Sequence, residues 1–243
     1  MNAIVIIPTY NERENLPPLV RAILQHEGFR VMVVDDQSPD GTGAVADALA
    51  LEFPGRVATL HRTSRRGLGR SLLDGLVQAL AGNAELIFQM DGDFSHNPKY
   101  LPDMAAACAD ADLVIGSRYL RGVSVVNWPL RRIILSALAN RYIRAITRLR
   151  VSDCTSGYRC WRREALARVP LDHLVSEGYA FLVEMLVRAQ RTGCRIREVP
   201  IIFVERRQGH SKISSRVLLE SIVIPWRLRL QELIGLPFKS RSC

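Results

Sequence analysis

Short apolar runs alternate with longer stretches of helical periodicity over the first half of the chain. The runs are Ile4–Ile7, Val31–Val34, Val57–Leu60, Leu86–Met90 and Leu113–Ile115. Between them, apolar residues recur at helical spacing over about 13–26, 41–53, 69–81 and 98–109. Runs that are apolar throughout, and not alternating, predict strands buried on both faces. Strands that take turns with helices predict a mostly parallel sheet flanked by helices. The expectation is an open α/β fold, which binds ligands at the carboxyl ends of its strands.

Chemistry-bearing residues gather at those ends. The first run leads into "PTYNE", the second into "DDQSPDGT", the fourth into "DGD" and the fifth into "GSR". All four segments are expected along one rim of the sheet. Asp91 and Asp93 stand there with only Gly92 between them. Two like charges so close repel each other unless something positive joins them. A solvated turn accounts for Asp and Gly; a hard divalent cation, Mg²⁺ or Mn²⁺, accounts for the paired carboxylates and bridges them to substrate phosphates. Asp36 either accepts hydrogen bonds from a base or ribose or caps the turn with Ser38, and Asp35 and Asp36 can divide the two jobs. A dinucleotide-binding fold requires G-x-G-x-x-G after the first strand, and "PTYNERENL" contains no glycine.

Composition narrows the class. With 243 residues, 48% hydrophobic and 23% charged, the chain is of ordinary globular type. No apolar run approaches the roughly 18 residues that cross a bilayer, and the first residues lack the basic and small-residue features of a signal peptide. The five cysteines, Cys108, Cys154, Cys160, Cys194 and Cys243, show no metal-ligand spacing, which suits reduced thiols in a cytosol. The net charge of +9 predicts an anionic partner. Between Leu113 and Ser152 there is no acidic residue but there are eight arginines. Nucleic acid is not the expected partner, because no nucleic-acid motif is present and the aromatic residues do not alternate with the basic ones.

Seven segments occur in a telling order: "IIPTYNERENL", "VVDDQSPDGT", "MDGDFSHNP", "GSRY", "DCTSGYRCWRREAL", "EGYAFLVEM" and "VPIIFVERRQGHSK". Together they resemble the family 2 glycosyltransferases of GT-A fold, and within them the polyprenol-phosphate (dolichol-phosphate) mannosyltransferases, over about residues 3–230. The resemblance implies an inverting transfer of mannose from GDP-mannose to a polyprenyl monophosphate. UDP-glucose as donor, or a soluble acceptor, is the alternative. It assigns Pro8, Tyr10, Glu12, Val34 and Asp36 to the nucleotide, and Asp91, Gly92 and Asp93 to the metal and diphosphate. Arg118, Arg206 and Lys212 would meet phosphates, with Asp91, Asp93 and Arg118 carrying catalysis. Guanidiniums clamp phosphate oxygens bidentately, whereas lysine acts as a mobile point charge. Two positions depart from the family pattern. Gly92 stands where alanine is common, and Gln37 where glycine is common, and either change is expected to alter the fit of the nucleotide. A lipid monophosphate is largely dianionic at neutral pH, with a second pKa near ~6, so no general base is needed, and Glu184 is read as a helix-face glutamate near an arginine.

The arginine-rich stretch then acquires a use. Over about 129–149, Leu135, Leu138, Tyr142, Ala145, Ile146 and Leu149 share one helical face, while Arg141, Arg144 and Arg148 line another. That pattern suits a helix at an anionic membrane surface, or a helix packed on the core with a solvated basic face. A second amphipathic segment, "RVLLESIVIPWRLRLQELI", is expected to break near Pro225, and Trp128 and Trp226 suit headgroup depth. The expected organisation is a GT-A catalytic domain over 1–210 and a C-terminal amphipathic segment over 211–243. The whole is expected to be cytoplasmic and peripheral to the membrane's cytoplasmic face.

Overall fold

The computed structural model describes residues 1–171, 174, 176, 178–205 and 215–234. In chain order its elements are β1 (Ala3–Thr9), α1 (Leu16–Leu24), β2 (Phe29–Asp35), α2 (Thr42–Glu52), β3 (Val57–His61), α3 (Leu68–Ala81), β4 (Leu86–Gln89), a 3₁₀ turn at Pro98–Tyr100, α4 (Leu101–Ala107) and β5 (Leu113–Ser117). There follow β6 (Val125–Val126), α5 (Leu130–Thr147), β7 (Arg159–Arg162), α6 (Arg163–Ala167), α7 (Gly178–Arg191), β8 (Ile196–Pro200), β9 (Phe203–Val204) and α8 (Ser215–Leu233). Helix α1 starts at Leu16, later than periodicity suggests, because Pro17 and Pro18 fit only in a first turn, where their missing N–H groups have no intrahelical partner to lose.

The main sheet has the order β3-β2-β1-β4-β7-β5-β8, and β6 and β9 form a separate parallel pair. Strands β1 to β4 pair in parallel, and β8 is parallel to β5. β7 lies antiparallel between β4 and β5, so those two still point the same way. The ends of β1, β2, β4 and β5 therefore share one rim, as the apolar pattern implied. The order reverses between β1 and β4, since β1 leads through α1 to β2 on one side while β4 flanks it on the other. Such switch points open the crevice where α/β folds bind ligands.

Both faces of the sheet are covered. Val5, Ile7 and Phe88 pack under Leu16, Leu19, Leu49, Leu101 and Met104 of α1, α2 and α4. Ile4, Ile6 and Ile87 pack under Leu72, Leu76, Ile143, Phe181 and Met185 of α3, α5 and α7. Burial of each large side chain contributes about 1.5–3 kcal/mol. Helix α3 sits so close that a Cβ on Gly75 would lie 2.6 Å from Ile6 Cγ2 and 3.0 Å from Val34 Cγ2. No helix among the described residues is long and apolar enough to cross a membrane.

Helix α8 does not break at Pro225, contrary to the expectation from sequence; the helix runs through it. Ile224 and Leu228 are buried there. Tyr142 Oη donates to the Ile222 carbonyl at 2.8 Å, and Arg191 Nη2 donates to the Leu228 carbonyl at 2.5 Å. Packing on α5 and α7 thus offsets the donor that proline removes.

Candidate functional site

The "PTYNE" and "DDQSPDGT" loops hold each other by side-chain bonds to backbone. Asn11 N–H donates to Ser38 Oγ at 3.1 Å, Glu12 N–H to Thr42 Oγ1 at 3.0 Å and Arg13 N–H to Asp40 Oδ2 at 3.3 Å. Asp40 also accepts from Thr42 N–H and Oγ1 at 3.0 and 2.6 Å. Burial alone would raise the Asp40 carboxyl, but these donors outweigh it and hold its pKa below the ordinary carboxylate value. Pro8 pairs with Val34 at the end of β1, beyond the last β1–β4 pair at Ile6 and Gln89. A residue without an N–H is tolerated where the ladder on that side has ended.

Asp35 and Asp36 do divide their work, but differently from the two roles read in the sequence. Asp35 Oδ2 accepts the Ser38 N–H at 3.3 Å, so it takes the turn. Asp36 is buried and forms an ion pair with Arg62, and it accepts the Gly67 N–H at 2.8 Å. Arg62, also buried, reaches Asp74 at 2.6 Å and Ser64 Oγ at 2.9 Å. The Asp36 carboxylate therefore ties the loop between β3 and α3 to the rim. From that loop Arg66 lies over the Tyr10 ring at 5.1 Å, donates to Tyr10 Oη at 3.1 Å and to the Gln37 carbonyl at 3.0 Å. The sequence reading passed over this basic loop; four arginines at 62, 65, 66 and 70, directly after a strand, were the signal available for it.

The two departures from the family pattern now have a physical account. Gln37 adopts φ 60°, the left-handed region in which glycine is free of strain. Its Nε2 donates to the Ser64 carbonyl at 2.6 Å, a bond that glycine lacks. A Cβ on Gly92 would stand 3.4 Å from Ile7 Cγ2, 3.5 Å from Glu12 Cγ and 3.6 Å from Thr9 Cγ2. Those are ordinary contacts, so alanine fits and the glycine is not demanded by space. The same distances place Glu12 against the aspartate turn.

In that turn Asp93 is buried, and its Oδ1 accepts from Ser95 N–H at 3.1 Å and Ser95 Oγ at 2.5 Å. The Asp91 side chain is 40% exposed. Among the described residues no group of three or more His, Cys, Asp or Glu forms a metal cage. Two carboxylates at one rim are hard oxygen donors of the kind that Mg²⁺ or Mn²⁺ takes, so the residues fit such a cation.

Arg118, at the end of β5, is held more tightly than the sequence suggested. Its Nε and Nη2 bind both Asp153 oxygens at 2.7 Å, and Nη2 also reaches Thr155 Oγ1 at 2.7 Å. The guanidinium lies 5.5–5.7 Å from the ring centroids of Tyr119, Trp128 and Phe203. Burial would raise the fully buried Asp153 carboxyl, but Arg118 and its hydrogen bonds outweigh that and lower its pKa. Asp153 is the first acid after the arginine-rich stretch, and the sequence reading gave it no role. Further along, Arg132 stacks on Trp128 at 4.0 Å and pairs with Glu205. Arg206 and Lys212 lie outside the described residues. Glu184 is buried, 2.5 Å from Arg188, and accepts the Ser176 N–H at 3.0 Å, which makes it a structural partner and not a base. The Cys154 thiol is pushed up to about 12 by burial, which removes it as a nucleophile or metal ligand.

Two helices turn apolar side chains outward. On α5, Asn140, Ile143 and Thr147 are buried, while Leu130, Ile134, Leu135 and Leu138 are exposed, Leu130 by 70%. Leu135 and Leu138 thus face away from the core, Ala145 is exposed, Tyr142 and Ile146 are half-buried and Leu149 is buried. The face read from sequence therefore splits between solvent and core. On α8, Ile222, Val223, Trp226, Leu230 and Leu233 form an exposed stripe at helical spacing, continued by Ile234 just past its end. The Tyr142–Ile222 bond joins the two helices where these faces meet.

Residues 4–169 match the model of glycosyl transferase family 2. The chain is 46% identical over 232 residues to a polyprenol monophosphomannose synthase of Mycolicibacterium smegmatis, covering 93% of this chain and 87% of that one. It is 44% identical over 227 residues to an undecaprenyl-phosphate mannosyltransferase of Micrococcus luteus, covering 92% of each. Glucosyl-3-phosphoglycerate synthase from Mycobacterium tuberculosis, crystallised with Mn²⁺, UDP and glucosyl-3-phosphoglycerate, superposes with a TM-score of 0.69 at 18% identity, over 97% of this chain and 81% of the other. A crystal structure of the same synthase with Mg²⁺ and UDP gives a TM-score of 0.63 at 18% identity, over 97% and 80%. These likenesses identify the GT-A fold.

Proposed function

Because the chain belongs to glycosyl transferase family 2, we propose that this glycosyltransferase moves mannose from GDP-mannose to a polyprenyl monophosphate with inversion at the anomeric carbon. The observation that carries the reading is the Asp91–Gly92–Asp93 turn at the β1/β4 switch point, in a chain whose curated relatives act on polyprenyl phosphates. Pro8, Tyr10, Glu12 and Val34 line the nucleotide side, where Asp36 holds the basic loop that closes on Tyr10. Asp91 and Asp93 would hold a Mg²⁺ or Mn²⁺, which when bound would screen the diphosphate and stabilise it as a leaving group.

The chain's own residues then have to orient and screen. The dianionic lipid phosphate supplies the attacking oxygen and needs no base. As its oxygen bonds to the anomeric carbon, the bond to the diphosphate oxygen breaks, and the pair of electrons leaves with the nucleoside diphosphate. Arg206 and Lys212 meet phosphate charge. Arg118 acts from a fixed position, because both Asp153 oxygens and Thr155 anchor its guanidinium.

Residues 1–210 form the catalytic unit in this reading, and 211–243 the C-terminal membrane-facing segment. The outward faces of α5 and α8, flanked by Arg141, Arg144 and Arg148, set the enzyme on the cytoplasmic face of an anionic membrane, where its acceptor resides. The test is incubation with a panel of radiolabelled nucleotide sugars and polyprenyl phosphate, with Mn²⁺ or Mg²⁺, followed by lipid extraction. Label should enter the lipid from GDP-mannose. Label from UDP-glucose alone, or transfer only to a water-soluble acceptor, overturns the assignment.

A further inference from the structure

The sheet ends just before the aspartate turn. Met90 N–H still donates to the Ile6 carbonyl at 3.1 Å, but the β1–β4 register stops at Ile6 and Gln89. The next N–H, that of Asp91, has a side-chain acceptor: it donates to His96 Nδ1 at 3.0 Å. His96 is buried, and its ring is clamped on two sides. It stacks on Tyr158 with centroids 5.0 Å apart and a 24° interplanar angle, and it meets the edge of Phe203 at 5.6 Å. Tyr158 Oη donates to the carbonyl of Asn97, the residue after His96, at 3.1 Å. A Cβ on Gly157, beside Tyr158, would lie 3.4 Å from Asp91 Oδ1 and 3.6 Å from His96 Cε1, so the segment leading into β7 closes the same corner.

We propose that His96 is the positioning residue of the aspartate turn, its unprotonated Nδ1 taking the place of the missing strand partner for Asp91 N–H and so fixing the backbone from which Asp91 projects. The inference rests on the donor-site reading for its consequence, and on the hydrogen bond itself for its geometry. Nδ1 also lies 3.7 Å from Asp91 Oδ2. One ring nitrogen cannot both accept the Asp91 N–H and carry a proton for that carboxylate, and the shorter contact decides.

The turn needs such a brace because it carries strain. Phe94 adopts φ 62°, where a side chain is disfavoured. Ser95 closes on Asp93 from one side and His96 on Asp91 from the other. The imidazole thereby connects the carboxylates to Tyr158 and Phe203, two residues that belong to distant parts of the chain.

Two substitutions separate positioning from packing. His96→Phe keeps the ring in its aromatic box and removes the acceptor. His96→Asn shrinks the side chain but leaves an oxygen close to where Nδ1 stands. Mn²⁺ uptake is measured by the electron-spin signal of free Mn²⁺ in the presence of a nucleoside diphosphate, with thermal melts as a check on folding. His96→Phe should weaken Mn²⁺ binding about 10- to 100-fold, the usual cost of losing a group that orients a metal ligand. His96→Asn should recover most of that affinity. Wild-type affinity in His96→Phe, or equal losses in both variants, overturns the inference. If the wild type itself takes up no Mn²⁺, the donor-site reading falls. Nitrogen-15 shifts of the His96 ring in the metal-free protein then decide the inference alone: an unprotonated Nδ1 supports it, and a protonated Nδ1 overturns it.

Discussion

The rim after β1, β2 and β4 and the arginine-rich half of the molecule are built in opposite ways. In the loops after β1, β2 and β4, polar side chains turn back onto the backbone: Ser38, Thr42, Asp40, Asp93 and His96 each satisfy a main-chain N–H. The result is a rim whose loops are tied to one another by their own side chains. On α5 and α8 many apolar side chains point outward instead, and basic ones stand beside them. Under the proposed function, the rim places charge through satisfied polar groups, and the surface of α5 and α8 adheres through exposed area and screened charge. Arg118 lies at the border, an arginine from the basic half that is buried and paired as in the rim.

That border gives the largest expected effect. Arg118→Ala leaves Asp153 buried without its partner and should cost about 3–5 kcal/mol of folding stability, read from urea unfolding. The Asp153 carboxyl has a folded pKa below its ordinary value of 3.8. Its contribution is therefore complete above that value and is lost as pH falls through the lower folded pKa. Wild type and Arg118→Ala should differ at neutral pH and converge in strong acid. A full-strength fold in the variant at neutral pH would place Arg118 with the surface arginines.

Asp91→Asn and Asp93→Asn keep hydrogen-bonding shape and remove charge. Each should lower turnover by about 10²-fold or more while melting temperatures stay near wild type. Full activity in either variant, or in excess EDTA, sinks the metal assignment. On the other side of the comparison, Arg141, Arg144 and Arg148 changed together to Gln should release the protein from anionic vesicles. Each charge contributes at most about 1 kcal/mol near the surface, and salt should weaken wild-type binding in the same direction. Transfer to a short, water-soluble polyprenyl phosphate should survive. Unchanged co-sedimentation of the triple variant means that these helices do not serve as the membrane surface. The smallest effect concerns Gln37→Gly. It relieves a left-handed residue worth roughly 1–2 kcal/mol and loses the bond to Ser64, so a net change within about 1 kcal/mol is expected by thermal melt. A large destabilisation would mean that the Gln37–Ser64 bond, and not the backbone, dominates there.

Much of the rim was legible in advance because its signals are local. An apolar run followed by Asp, Gly, Ser or Pro marks a strand end wherever it occurs, and "DGD" carries its own charge conflict. The rest was hidden by separation along the chain. Asp36 meets Arg62 across 26 positions and Arg118 meets Asp153 across 35. β7 was missed because "RCWR" is too short and too polar to read as a strand; only pairing with β4 and β5 makes it one. His96 looked like one more residue of a turn, since nothing in "DFSHNP" says that the sheet stops one residue before Asp91.

The alternation of strands and helices from β1 to β5, and the rim where those strands end, were determined by the sequence alone, because periodicity and turn residues act over a few positions. Which carboxylates pair with a buried arginine was decided only by tertiary structure. So was the direction in which the apolar face of α5 points, and the acceptor found by the Asp91 N–H. Those outcomes depend on what another part of the chain brings within about 3 Å, the reach of a hydrogen bond, and no local pattern encodes that distance.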